Sequence, residues 1–72
     1  MKYRATVVTP YAYAIGDADT DSDAVNEALV RIARSELDDP AHVHITVFRI
    51  YSDNESDTAY TSTLQAYRNA TS

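Results

Sequence analysis

The chain has no cysteine and no tryptophan, and only one glycine and two prolines among its 72 residues. Without cysteine there is no disulfide framework, no thiolate zinc site and no thiol nucleophile. The single glycine, Gly16, excludes the phosphate-cradling loops of dinucleotide-binding and P-loop proteins, whose turns need several backbone positions that only glycine tolerates. No apolar run approaches the roughly 18 residues of a membrane span. The opening Met1-Lys2-Tyr3-Arg4 does not lead into the apolar segment and cleavage site of a secretory signal, so a cytoplasmic protein is expected. Positive charge is scarce too. Eleven acidic residues against six basic ones leave a formal charge of -5, which argues against binding phosphate backbones by counterion release.

What remains is enough for one small domain over residues 1–72, with 44% hydrophobic residues in 8.0 kDa. A domain this size buries only about 60% of the surface its unfolded chain exposes, so a partner or self-association is expected to add stability.

Residues 2–9 alternate, with Tyr3, Ala5 and Val7 against Arg4, Thr6 and Val8, and their β-branched and aromatic content predicts a strand. Pro10 interrupts it, because proline cannot donate to a ladder. Residues 11–18 alternate again, with Tyr11, Tyr13 and Ile15 on one side. They either hairpin back on the first strand or continue it as one bent strand. Thr20-Asp21-Ser22-Asp23 fits a capping box. Behind it Val25, Ala28, Leu29, Ile32 and Ala33 form one helical stripe flanked by Leu37, and Asp38-Asp39-Pro40 predicts the stop.

Residues 41–51 predict the strongest strand, with Val43, Ile45 and Val47 pointing one way and His42, His44, Thr46, Phe48 and Ile50 the other. Residues 52–57 are turn-formers and charges. In residues 58–68, Tyr60, Leu64 and Tyr67 also have helical spacing, but the Thr, Ser and Tyr content favours a closing strand, with residues 69–72 as a frayed tail. A hairpin symmetric about Asn54 and Glu55 would set Val47 opposite Ser62, Ile45 opposite Leu64 and Val43 opposite Ala66. The expected fold is therefore α+β, one helix on one face of a three- or four-stranded antiparallel sheet. One helix covers one face only, so the face carrying His44, Phe48 and Tyr67 is expected to stay open.

Four carboxylates alternate in Asp17, Asp19, Asp21 and Asp23, which resembles the start of a calcium-binding EF-hand loop. The match fails where Ser22 stands for the turn glycine and Ala28 for the bidentate glutamate. His42 and His44, two apart on the expected strand, supply only two ligands where an open zinc site needs three, so no metal is expected. No hydroxyl has a visible base and orienting group, and no catalytic residue is expected. Six tyrosines, at 3, 11, 13, 51, 60 and 67, suit a binding surface, although about half are expected to pack the sheet. Eight of the eleven carboxylates lie between Asp17 and Asp39, interrupted only by Arg31 and Arg34, and the other three, Asp53, Glu55 and Asp57, sit in one loop, whereas Lys2, Arg4, Arg49 and Arg68 belong to the expected strands.

The order of strand, Ala18-Asp19-Thr20-Asp21-Ser22-Asp23-Ala24-Val25-Asn26-Glu27-Ala28 helix entry and closing hairpin resembles small phage-encoded proteins, among them anti-CRISPR inhibitors. The resemblance spans nearly the whole chain as a pattern. It implies a non-enzymatic inhibitor that occludes the basic, nucleic-acid-binding surface of a host complex in the host cytoplasm. The same element order looks like dodecin, a flavin-storing oligomer, except that the flavin-stacking tryptophan is missing and only Phe48 or Tyr51 could stand in for it. On the inhibitor reading no cofactor is expected. The partner contacts are Asp17, Asp19, Asp21, Asp23, Asp53, Glu55 and Asp57, together with His44, Phe48 and Tyr67 on the open face. The alternatives are a ligand-storing or metal-binding homo-oligomer and an accessory subunit that dimerises through that face.

Overall fold

A computed structural model describes residues 2–71; of the expected frayed tail, Ser72 lies outside the described residues. Four strands, β1 (Lys2–Val8), β2 (Tyr13–Ala18), β3 (His44–Ser52) and β4 (Glu55–Thr63), form one antiparallel sheet in the order β2-β1-β3-β4. Helix α1 (Asp21–Leu29) follows β2, and a second helix, α2 (Leu64–Thr71), follows β4.

Residues 9–12 turn the chain back, so β2 is the second arm of a hairpin and not a continuation of β1. Thr9 makes that turn. Its amide donates to the Ala12 carbonyl at 2.8 Å, and its hydroxyl oxygen accepts from the amides of Tyr11 and Ala12 at 3.2 and 2.9 Å. Proline at the next position has no amide to satisfy.

Thr20 caps α1 as expected, its side chain accepting from the Asp23 amide at 3.2 Å. The helix is shorter than its apolar stripe suggests. The amides of Arg31 and Ile32 bond three residues back instead of four, and Ala33, at ψ 140°, leaves helical space. Short 3-10 turns at Arg34–Leu37 and Pro40–His42 carry the chain to β3. Leu29, Ile32 and Leu37 still reach the core from these successive turns, which is why the stripe continues beyond the helix.

The core lies between the sheet and its helical side: Ala5, Val7, Ala14, Val43, Ile45, Val47 and Leu64 with Ala24, Val25, Ala28 and Ile32. Small side chains let α1 sit directly on β2. A Cβ on Gly16 would run into the Ala24 carbonyl oxygen and the Ala28 amide nitrogen, and would lie 2.8 Å from the Glu27 Cβ.

Three expectations for residues 41–71 are corrected. Strand β3 begins at His44 and not at residue 41, because Pro40 starts a 3-10 turn that includes His42. The β3–β4 turn is Asp53-Asn54, so Val47 pairs with Tyr60 and Ile45 with Ser62, two residues from the expected register. An even shift preserves the faces, and Ile45 and Val47 remain inward. Residues beyond Thr63 have no strand to pair with, since β3 starts opposite Thr63 at His44. Their backbone bonds close within α2 instead, with the Thr63 hydroxyl accepting from the Ala66 amide at 3.1 Å and the Leu64 amide donating to the Val43 carbonyl at 2.8 Å. The expected frayed tail is thus helical as far as Thr71.

Candidate partner-binding surface

Strand order decides where the charges go. β1 starts where β2 ends and where the β3–β4 hairpin turns, as the pairs Tyr3–Ala18, Tyr3–Arg49 and Arg49–Asp57 record. Asp17 and Asp19, where β2 ends, and Asp53, Glu55 and Asp57 of the hairpin, far apart in sequence, therefore share one end of the sheet, and all five are exposed. Lys2, Arg4 and Arg49 lie at the same end. Asp21 and Asp23 are exposed on α1, where Asp21 lies beside Tyr60 and Tyr67.

Among the described residues two of the seven carboxylates of the acidic segments, Asp17 and Asp57, are in ion pairs. Asp17 accepts from Arg4 Nε at 2.8 Å and Nη2 at 3.1 Å, and Asp57 accepts from Arg49 Nη1 at 3.1 Å and from the Tyr51 hydroxyl at 3.2 Å. Exposed pairs of this kind are screened by solvent, so they orient side chains more than they hold the fold. Asp19, Asp23, Asp53 and Glu55 carry no ion pair among the described residues.

The hydrogen bond from Arg4, aided by its charge and opposed by partial burial, holds the Asp17 carboxyl below the ordinary carboxylate range. A lowered folded-state pKa means that the pair stabilises the protein above the unfolded carboxyl pKa and that this contribution is lost as pH falls through the folded value. A carboxyl-detected NMR titration should give Asp17 a midpoint below the usual aspartate value, and Arg4→Gln should raise it. An identical midpoint in the two proteins contradicts the pairing.

The side of the sheet away from the helices is open, as expected. His44, Thr46 and Phe48 of β3 lie on it beside Val8, Thr6 and Arg4 of β1, which in turn pair with Tyr13, Ile15 and Asp17 of β2. Val8, Tyr13 and Ile15 are 44%, 72% and 45% exposed, a small apolar patch that the strand patterns did not assign to this face. The alternation of Tyr13 and Ile15 was the available signal; what it lacked was the pairing partner. His44 and Phe48 do not join the carboxylates at one point. His44 is at the opposite end of β3 from the acidic hairpin, and Phe48 is midway.

Tyr67 is not on the open face. It projects from α2 on the helical side and packs against the core edge with Tyr60 of β4. The two rings, with Asp21 and Ser22 of α1 and Ala66 and Ala70 of α2, line a groove of about 400 Å³. Burial first, and then the negative charge of Asp21, raises both tyrosine hydroxyls above the ordinary phenol range.

His42 and His44 do not share a strand face. His42 sits in the Pro40–His42 turn with its Nδ1 2.7 Å from Asp39 Oδ2, and no serine or threonine hydroxyl hydrogen-bonds it among the described residues. No cluster of three or more His, Cys, Asp or Glu side chains able to hold a metal ion occurs among the described residues. Among the described residues no helix is long and apolar enough to cross a membrane. No protein-family model, curated protein or solved structure matches the chain.

Proposed function

We propose that this protein is a non-enzymatic, acidic protein-binding module, an inhibitor of the phage-encoded type that occludes a basic, nucleic-acid-binding surface of a host protein complex in the cytoplasm. The observation that carries the reading is the convergence of Asp17 and Asp19 with Asp53, Glu55 and Asp57 on one end of the sheet, with Asp19, Asp53 and Glu55 free of ion pairs among the described residues. Unpaired carboxylates on a narrow end of a small rigid domain are suited to a basic groove, since complementary potential steers association and sets register. Asp17 and Asp57 are oriented by Arg4 and Arg49, and the open face around Phe48 adjoins that end. The test is competition. A partner captured by the tagged protein from bacterial lysate should be released by added nucleic acid, and a captured partner that binds nucleic acid equally well with and without this protein refutes the reading.

A second reading, self-association through the open sheet face, is favoured by the adjacent exposed side chains of Val8, Tyr13 and Ile15. Light scattering separates the two: the inhibitor reading expects the 8.0 kDa monomer, and a dimer mass lost on Ile15→Lys supports the second.

A further inference from the structure

The groove between α1 and α2 has a chemistry distinct from that of the hairpin end. Its walls combine two tyrosine rings with one carboxylate, two alanines and several serine and threonine side chains, and no lysine, arginine or histidine lines it among the described residues. Tyr60 and Tyr67 are partly buried against the core, yet neither hydroxyl has a protein hydrogen-bond partner among the described residues. Two amides of the first helical turn are already engaged: Asp23 donates to the Thr20 hydroxyl oxygen and Ser22 to Asp21 Oδ1. An anion therefore gains little here, whereas a cation meets aromatic rings and a carboxylate together. Asp21 lines the groove together with both rings, which sets its charge beside them.

We propose that the groove bounded by Asp21, Tyr60 and Tyr67 receives an arginine side chain of the partner protein. This rests on the reading of the acidic end as a surface for a basic partner, and adds where one of its side chains is held. Arginine fits better than lysine for three reasons. Its planar guanidinium stacks on tyrosine, it donates to a carboxylate through two parallel N–H groups, and it is more weakly hydrated than an ammonium, so entering a half-apolar slot costs it less. The guanidinium N–H groups left over have the Tyr60 and Tyr67 hydroxyl oxygens as acceptors. Asp21 gives the groove its own negative charge, and Asp19 and Asp23 are exposed on either side of it in sequence, so a basic segment of the partner is drawn to the groove mouth.

The test is an NMR titration of the intact protein with an end-blocked Gly-Arg-Gly peptide, its Gly-Lys-Gly counterpart, and the neutral isostere with citrulline at the centre. The arginine peptide should move the resonances of Asp21, Tyr60 and Tyr67 saturably, the lysine peptide should bind at least threefold more weakly, and the citrulline peptide should leave them unmoved. Asp21→Asn should weaken the arginine peptide about fivefold or more. Tyr67→Leu, which keeps an apolar side chain against the core, should do the same without unfolding the domain. Equal binding of arginine and citrulline peptides overturns the proposal, as do shifts confined to Asp53, Glu55 and Asp57. The latter result leaves the acidic end as a basic-partner surface. Release of the captured partner by nucleic acid is read separately, so failure of that reading and failure of the slot are distinguishable.

Discussion

A Gly16→Val chain is expected to lose at least about 3 kcal/mol of stability, and with it most or all of its cooperative urea transition at room temperature. Domains of this length are stable by about 4–11 kcal/mol, so the loss is a large share of the total. Overpacking a core commonly costs about 1–3 kcal/mol because side chains move off their rotamers. Here two of the three atoms that would meet the new Cβ are backbone atoms of α1, the Ala24 oxygen and the Ala28 nitrogen, which cannot rotate away. The helix must lift from β2 as a body. Lifting it unpacks Ala24, Val25 and Ala28, all fully buried, and displaces Asp21 from the tyrosine groove. Gly16→Ala should show the same defect in milder form. A Gly16→Val protein with an unchanged urea midpoint would falsify the close packing of α1 on β2.

The second large effect concerns binding. Reversing Asp19, Asp53 and Glu55 to lysine is expected to weaken the captured partner by about 100-fold while leaving the far-UV circular dichroism unchanged. None of the three makes an ion pair or a side-chain hydrogen bond among the described residues, and all are exposed, so the fold loses little. Each exposed charge pair is worth about 0.2–1 kcal/mol, and reversal replaces attraction by repulsion, so three reversals amount to about 3 kcal/mol. The wild-type affinity should fall as salt rises, because exposed charges are screened beyond a Debye length of about 10 Å at 0.1 M. Leaving Asp21 in place keeps the tyrosine groove intact, so the effect belongs to the rim charges alone.

Much of this architecture is legible in local pattern. Alternation marks β1, β2 and β3, and Thr20 marks the start of α1. The same patterns mislead where a local signal depends on a distant partner. Residues 64–68 carry strand-like composition, but they have no strand beside them once β3 begins at His44, and the Thr63 cap then starts α2. The apolar stripe through Ile32 and Leu37 reads as continuous helix because short 3-10 turns keep those side chains inward too. The candidate residues divide the same way. Asp17 to Asp23 and Asp53 to Asp57 stand out as charge runs, yet that they meet follows only from the order β2-β1-β3-β4, which local periodicity does not encode. Tyr67 was recognisable as a surface tyrosine, but its place opposite Asp21 required the helix that its own segment disguises.

The claim that the hairpin end is the contact surface is tested most directly by paired charge reversals at the two ends of the sheet. Asp53→Lys with Glu55→Lys alters the hairpin end, and Asp38→Lys with Asp39→Lys alters the opposite end by the same charge. Dissociation constants for the captured partner should rise at least tenfold for the first pair and less than twofold for the second. Equal weakening by the two pairs, or weakening by the second alone, would contradict the account.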